Sequence, residues 1–221
     1  MIPAKVLWLG RQKYAAVWHA QKELMTKVRS GEEPDTLILV EHDPVITLGR
    51  SAKREHILVS AKSLAREGIE LFEVERGGDV TYHGPGQLVG YPILDLKRHG
   101  RDLHLLLRNY EEVLLRTLVD FGIQGRRFPG YTGVWVADEK IAAIGVAVEH
   151  WITYHGFAFN VAPNLHHFQL IVPCGIADYG VTSLEQILGQ APDLATVRER
   201  VIEHFAQVFG VKWTNDGLNG I

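Results

Sequence analysis

A glycine-rich segment, Arg76 to Ile93, constrains the fold more than any other part of the chain. It reads RGGDVTYHGPGQLVGYPI and contains five glycines and two prolines in 18 residues. Such a backbone turns sharply and can approach a neighbouring group closely. Strand-favouring residues lie between the turns, and polar side chains are set among them: Arg76, Asp79, Thr81, Tyr82, His83 and Gln87. The pattern indicates either a bend between core strands or the wall of a binding site.

The spacing of these glycines excludes two common phosphate-binding loops. A dinucleotide fingerprint needs G-x-G-x-x-G at the start of a helix, but here Gly84 and Gly86 are followed by Gly90, one residue too late. The residues after Gly86 alternate like a strand, and the chain contains no G-x-x-x-x-G-K-[ST]. We therefore expect neither a dinucleotide nor a P-loop nucleotide site.

Composition and charge predict an ordinary globular protein. The 221 residues are 46% hydrophobic and 22% charged with a net charge of −3, which argues against nucleic-acid binding. The single cysteine excludes an intrachain disulfide and favours a reducing compartment. The N-terminal apolar run is too short for a signal peptide, and the longest run, Ile141–Val148, is too short to cross a membrane. We expect one cytoplasmic domain, 1–221, with a core at about 35–215.

Hydrophobic periodicity predicts a mixture of helices and strands. Helices are expected at Arg11–Ser30, Ser60–Glu67, Leu103 to about Phe121 with Asp102 as N-cap, and Thr196–Phe209. Strands are expected at Thr36–Val40, Val45–Leu48, Ile69–Glu75, Val134–Ala137, Lys140–Val148 and His155–Val161, with Asn164–Gly180 mostly loop. This order predicts an α+β (mixed α/β) fold, with a mixed sheet flanked by helices.

Cys174 is the candidate nucleophile. Pro173 before it cannot donate a ladder hydrogen bond, and Gly175 after it permits an unusual backbone conformation, so the cysteine should lie on a bend. A thiolate projecting from a bend into a cleft could attack an acyl carbonyl. The alternative for a lone cysteine is a small buried hydrophobic residue.

Three partners could activate this thiol. His83 would give a Cys–His pair, and His166 and His167 are near in sequence but in a loop. Lys140 shares strand parity with an apolar face made by Ala142, Ile144, Val146 and Val148. A lysine there would be partly desolvated and could favour the thiolate or accept its proton; the alternative is an exposed hairpin lysine.

The chain resembles the lipoyl(octanoyl) transferases at four ordered blocks. They are the Arg76–Ile93 segment, KIAAIGV at Lys140–Val146, HGFAFNV at His155–Val161 and PCGI at Pro173–Ile176. The resemblance covers roughly residues 35 to 190. It implies the fold of biotin and lipoate ligase catalytic domains, and a catalytic pair formed by Cys174 and Lys140.

The resemblance also implies a substrate site, made of small residues and one aromatic residue along strands, which suits a narrow apolar slot. Its expected members are Arg76, Gly77, Gly78, Asp79, Val80, Thr81, Tyr82 and His83, then Ala143, Ile144 and Gly145, and finally Gly156, Phe157 and Ala158. Backbone N–H groups near Gly77 and Gly78, or beside Cys174, are candidate oxyanion donors. Without the resemblance, the two strand groups would be interpreted as ordinary packing.

The implied reaction moves an octanoyl group through a cysteine thioester and uses no ATP, cofactor or metal. The implied donor is octanoyl-acyl carrier protein, and the implied acceptors are apo lipoyl domains of 2-oxoacid dehydrogenase complexes and the glycine cleavage H protein. The basic pairs Lys53-Arg54 and Arg126-Arg127 could dock an acidic carrier or be solvated surface. The alternatives are an ATP-dependent lipoate or biotin ligase, an inactive carrier-binding protein and a Cys–His hydrolase using His83.

Overall fold

The computed structural model describes residues 1–172 and 179–214. In these ranges the α-helices are α1 Tyr14–Ser30, α2 Ala61–Arg66, α3 Leu103–Asp120, α4 Leu184–Leu188 and α5 Leu194–Phe209. Short 3₁₀ helices cover Arg54–His56 and Leu165–Leu170. The first six strands are β1 Ile2–Gln12, β2 Asp35–His42, β3 Val45–Leu48, β4 Glu70–Glu73, β5 Val80–His83 and β6 Gln87–Ile93. The others are β7 Arg126–Phe128, β8 Tyr131–Val136, β9 Glu139–Glu149, β10 Ile152–Asn160, β11 Gly180–Val181 and β12 Val211–Trp213.

The predicted helices are present, with boundaries set by their caps. The Asp102 side chain accepts a hydrogen bond from the Leu105 backbone N–H and begins α3, as predicted. Gly31 has a φ of 79° and ends α1 in the left-handed conformation. The first helix begins later than predicted, at Tyr14, because the residues before it form β1.

Two sheets organise the described strands. The larger has the order β12-β1-β2-β6-β10-β9-β8-β7, with β11 added beside β9, and the smaller has the order β4-β3-β5. β1 pairs in parallel with β2 and β12, whereas β2, β6, β10 and β9 pair antiparallel in sequence. The predicted mixed sheet with flanking helices is therefore confirmed.

Helices cover both faces of the larger sheet. Alternate residues of β2 point to opposite sides, so Leu37 and Leu39 pack in the core with α3 and α5. Ile38 and Val40 pack in a second core with α1. A third cluster lies on the smaller sheet with α2.

The two sheets approach each other at the glycine-rich segment. The Gly77 N–H donates to the Val146 carbonyl at 2.8 Å, which holds this segment against β9. The space between the segment and the β9–β10 pair is the candidate site.

Candidate active site

The three predicted groups of site residues line one cavity of about 50 Å³. The glycine-rich segment contributes Arg76, Gly77, Gly78, Asp79, Thr81 and His83; β9 contributes Ala143, Ile144 and Gly145; β10 contributes Gly156, Phe157 and Ala158. Residues that sequence analysis did not assign to the site complete the lining: Tyr14, Val89, Tyr91 and His155. Groups distant in sequence are thus brought together in one concave space.

Val80 and Tyr82 are the two predicted members that lie outside this lining. Side chains alternate along β5, so Thr81 and His83 face the cavity while Val80 and Tyr82 face the other way. Both are fully buried in the core of the smaller sheet. The Tyr82 hydroxyl pairs with His167 Nδ1 at 2.7 Å on that side.

The cavity has two walls, the glycine-rich segment and the β9–β10 pair, which we call the glycine-rich wall and the ladder wall. Glycine residues allow these parts of the chain to approach closely. A Cβ built on Gly145 would lie 2.9 Å from the Gly77 carbonyl oxygen, and one on Gly156 would overlap the Gly90 carbonyl oxygen. Real Cβ atoms essentially never come so near a backbone oxygen. Glycine is therefore required sterically at both positions, which explains part of the predicted pattern.

Arg76 supports the glycine-rich wall from within. Its side chain is buried and donates from Nη2 to the Thr47 carbonyl at 2.6 Å and to Thr47 Oγ1 at 2.9 Å. Nη1 donates to the Gly77 carbonyl at 3.1 Å. Arg76 therefore joins β3 to the segment that lines the cavity.

Asp79 is held by a histidine that sequence analysis missed. His56 Nδ1 lies 2.6 Å from Asp79 Oδ2, and the Val80 N–H donates to Asp79 Oδ1 at 2.7 Å. The His56 carbonyl accepts from the Val172 N–H at 2.8 Å. His56 therefore connects the glycine-rich wall to Val172, the residue that precedes Pro173. Hydrophobic periodicity carries no signal for a histidine in a short 3₁₀ helix.

A cluster of buried rings lies at one side of the cavity. The His83 ring stacks on Tyr14 with 6.2 Å between centroids, and His42 Nε2 lies 2.7 Å from the Tyr91 hydroxyl. Burial lowers the pKa of His83 to about 3, helped by the nearby His42, and lowers the pKa of His42 and of His155 to about 4. All three rings are therefore neutral near neutral pH.

The neutral state of His83 bears on its possible role. A histidine with so low a pKa is a weak base and does not supply a positive charge to a nearby thiol. Its Nδ1 is engaged with Gln87 Oε1 at 2.7 Å. Both observations disfavour a Cys–His hydrolase and leave His83 as a neutral lining residue.

Lys140 is buried, as predicted, but its orientation follows a β-bulge. Val134 pairs with Ala142 and Trp135 pairs with Lys140, so Ile141 is an extra residue in β9. The predicted alternation, with Lys140 on the face of Ala142, does not hold across this bulge. Instead Lys140 lines a small cavity of about 20 Å³ together with Ala143, Ala158 and other residues.

The Lys140 amine is mostly buried and lies beside an aromatic ring. The side chain is 8% exposed, and its Nζ lies 4.9 Å from the centre of the Trp135 ring. No carboxylate of the described ranges lies within 4.0 Å of this amine. Lys140 also lines a wider opening of about 290 Å³ together with Gly77, Gly78 and Tyr131.

Cys174, the predicted nucleophile, lies outside the described residues. The chain on either side of that segment is described, and the part that follows it pairs with the strand that carries Lys140. Val172 and Tyr179 line one cavity together with Glu139. β11 then pairs in parallel with β9, with Val181 opposite Lys140.

The two predicted basic pairs are matched by acidic partners. Arg126 Nη2 lies 2.7 Å from Asp138, and Arg127 contacts Glu111 at 3.0 Å and Glu112 at 2.8 Å. Arg54 and Lys53 contact Glu73 and Glu55 in the same way. These pairs therefore present less uncompensated positive charge than their sequence indicates.

Residues 1–172 and 179–214 contain no group of three or more His, Cys, Asp or Glu side chains arranged to hold a metal ion. No helix in this part of the chain is long and apolar enough to span a membrane.

Solved structures share this architecture. A lipoate-protein ligase A bound with ATP matches with a TM-score of 0.78 at 16% identity, covering 99% of this chain and 90% of that one. A bipartite lipoate protein ligase from Thermoplasma acidophilum matches with 0.78 at 19% identity, covering 100% and 89%. Biotin protein ligase from Aquifex aeolicus matches with 0.53 at 15% identity, covering 93% and 68%. The fold is that of lipoate and biotin ligase catalytic domains.

Sequence comparisons identify the family to which this chain belongs. The family model for the lipoyl protein ligase A/B catalytic domain matches residues 13–206. Octanoyltransferase from Caldicellulosiruptor saccharolyticus is 50% identical over 210 residues, covering 94% of this chain and 89% of the relative. Octanoyltransferase from Rubrobacter xylanophilus is 52% identical over 203 residues, covering 91% of each. The chain therefore belongs to the lipoyl protein ligase A/B catalytic-domain family as a relative of its octanoyltransferases, and it is an acyltransferase. The predicted resemblance is confirmed.

Proposed function

We propose that this protein transfers an octanoyl group from octanoyl-acyl carrier protein to a lysine of apo lipoyl domains, as a step of lipoate biosynthesis. The observation that carries the proposal is the cavity between the glycine-rich wall and the β9–β10 pair. Its lining is mostly apolar or neutral, and Lys140 borders the opening beside it. A narrow apolar slot with one amine at its mouth suits a short acyl chain that reacts at its carbonyl end.

The proposed reaction has two halves joined by a thioester on Cys174. In the first, Lys140 accepts the thiol proton, the sulfur attacks the donor thioester carbonyl, and the carrier thiol leaves. In the second, the acceptor amine attacks the acyl-enzyme, giving an amide and regenerating the Cys174 thiol. Because the donor is already activated, the cycle consumes no ATP.

Lys140 supports this role through its environment. The amine is mostly buried and has no carboxylate within 4.0 Å among the described residues. The Gly77 N–H is already used by the Val146 carbonyl. Gly78 N–H and the N–H groups beside Cys174 are therefore the proposed oxyanion donors.

The proposed partners follow from the reaction. The donor is octanoyl-acyl carrier protein, and the acceptors are the lipoyl domains of 2-oxoacid dehydrogenase complexes and the glycine cleavage H protein. We place the reaction in the cytoplasm, and the proposed mechanism involves no cofactor, metal or nucleic acid.

Intact mass spectrometry tests this proposal directly. Wild type and Cys174→Ser are incubated with octanoyl-acyl carrier protein in the absence of ATP. We expect wild type alone to gain one octanoyl group and to lose it when an apo lipoyl domain is added. If wild type gains no mass, and the lipoyl domain is modified only when ATP and free octanoate are supplied, the protein is a ligase instead.

A further inference from the structure

A line of buried hydrogen bonds connects the cavity to the strand that carries Lys140. His83 Nδ1 lies 2.7 Å from Gln87 Oε1, and Gln87 Nε2 donates to Asn160 Oδ1 at 2.9 Å. Asn160 Nδ2 then donates to the Thr182 carbonyl at 3.0 Å. The His83, Gln87, Asn160 and Thr182 residues are all buried. We call Gln87 and Asn160 the amide pair.

The neighbouring groups fix the orientation of both amides. Gln87 Nε2 also donates to the Tyr82 carbonyl at 3.2 Å, so its oxygen must face His83, whose Nδ1 then carries the proton. Asn160 must direct its NH₂ group at the Thr182 carbonyl, because a carbonyl oxygen only accepts. Flipping either amide would leave buried polar groups without partners.

The far end of this line reaches the Lys140 main chain. The Thr182 N–H donates to the Lys140 carbonyl at 3.0 Å, so one peptide segment is held between Asn160 and Lys140. β11, just before Thr182, has only two residues. Lys140 itself adjoins the bulge at Ile141, where the β8–β9 ladder is interrupted. Local strand pairing is therefore weakest where the amine must be placed.

The amide pair also lies beside the Lys140 side chain. Gln87, Asn160 and Lys140 line the same small cavity of about 20 Å³, together with Ala143 and Ala158. The residues that support the main chain of Lys140 thus also form the wall next to its amine.

We infer that Asn160 is a positioning residue for acyl transfer: its amide, oriented by Gln87, fixes the Thr182 peptide and through it the placement of Lys140. Asn160 does not touch the reacting atoms in this arrangement. The inference rests on the proposed function, because it assigns Lys140 the proton-transfer role.

The sharpest variant is Asn160→Asp, which keeps the shape and the acceptor for Gln87 but replaces the donor to the Thr182 carbonyl. Thr153→Val is the matched control: Thr153 is buried on the same strand, and its hydroxyl bonds the main chain at Pro92 and Leu94, away from Lys140. We expect Asn160→Asp to lower kcat for octanoyl transfer by about a hundredfold, with KM for the carrier unchanged within about twofold. Thr153→Val should retain the wild-type kcat even if it lowers Tm as much as Asn160→Asp does.

Alkylation of the chain's single cysteine gives a second readout that needs no octanoyl substrate. We expect Asn160→Asp to shift the pH profile of Cys174 alkylation by iodoacetamide in the same direction as Lys140→Ala, and Thr153→Val to leave it unchanged. A wild-type profile for Asn160→Asp, or a kcat loss equal to that of Thr153→Val at the same Tm, would overturn the inference.

Two further outcomes, a variant that does not fold and a failure of the proposed function, can be told apart from a failure of this inference. If Asn160→Asp does not fold, Gln87→Glu carries the test, because it keeps the acceptor for His83 and removes the donor to Asn160. If wild type forms no octanoyl thioester but the alkylation profile still shifts in Asn160→Asp, the proposed function fails and the positioning of Lys140 by Asn160 stands.

Discussion

The two walls of the cavity keep their shape by different means. The wall from β9 and β10 is an antiparallel ladder that runs from Glu149 opposite Ile152 to Ala142 opposite Phe159. The glycine-rich wall depends instead on particular side chains, since Arg76 bonds Thr47 and Asp79 bonds His56. The ladder wall is therefore held by backbone pairing, and it needs glycine at Gly145 because the Gly77 carbonyl oxygen lies close to that position. The glycine-rich wall is held by buried side-chain hydrogen bonds.

The largest expected effect comes from Lys140, the proposed proton acceptor. Lys140→Ala should lower the rate of octanoyl transfer by about 10²- to 10⁴-fold, because the proposed reaction then lacks that group. The rate is measured by mass spectrometry of the lipoyl domain, with Tm as the folding control. A rate within tenfold of wild type would remove Lys140 from the mechanism.

Acidification should destabilise both walls, through His83 on the glycine-rich wall and His155 on the ladder wall. Their folded pKa values, about 3 and about 4, lie below the unfolded value near 6.5, so the unfolded chain binds more protons as pH falls. The stabilisation is complete above about pH 6.5 and declines toward pH 4, by up to about 1.4 kcal/mol per pH unit for each ring.

Urea unfolding at a series of pH values measures this slope. His83→Gln should make the unfolding free energy depend less steeply on pH below 6.5. The control variant His150→Gln, at an exposed position, should leave this dependence unchanged. An unchanged slope in His83→Gln would mean that His83 is not held neutral in the folded protein.

Because the two walls are in steric contact, Gly145 on one wall should tolerate substitution much less well than Gly77 on the other. Gly145→Ala places a Cβ 2.9 Å from the Gly77 oxygen, whereas Gly77→Ala places one 3.4 Å from the Val146 oxygen, an ordinary contact. We expect Gly145→Ala to cost about 1–3 kcal/mol of unfolding free energy, and Gly77→Ala less. Equal costs in chemical denaturation would show that the walls do not press together at Gly145.

The smallest effect tests the side-chain support of the glycine-rich wall. Thr47→Val removes the hydroxyl that accepts from Arg76 Nε and Nη2, and should cost about 1–2 kcal/mol. Thr36→Val, which loses a neutral bond to the Pro34 carbonyl, is the control and should cost less. If the two variants are equally stable in urea, Arg76 does not depend on the Thr47 hydroxyl.

Much of the fold was predictable because it rests on local patterns. The periodicity of α3 and α5, the Asp102 cap of α3, the Gly210 that ends α5, and the β8–β9 hairpin all follow from residues close in sequence. β1 and β12 were not predicted. β12 is an edge strand and β1 lies between it and β2, and the pairing of Ile2 with Val211 joins residues that are distant in sequence.

The site was predictable where a family motif supplies the residues and unpredictable where packing places them. Gly145 and Gly156 were assigned to the site by the resemblance, because strand alternation alone would assign them to ordinary packing. The orientation of Lys140 depends on a bulge at Ile141 that no alternation pattern reveals. His56 and His42 enter the site only through contacts across more than 20 residues of chain.

The proposed function places the acyl chain between these two walls, with its carbonyl at Lys140. A crystal structure of the octanoylated enzyme tests this placement most directly. We predict that the eight-carbon chain lies against Gly77, Thr81, Ala143 and Gly145, with the thioester beside the Lys140 amine. An acyl chain found elsewhere, such as in the surface groove bordered by Lys22, Arg50 and Tyr154, would contradict this placement.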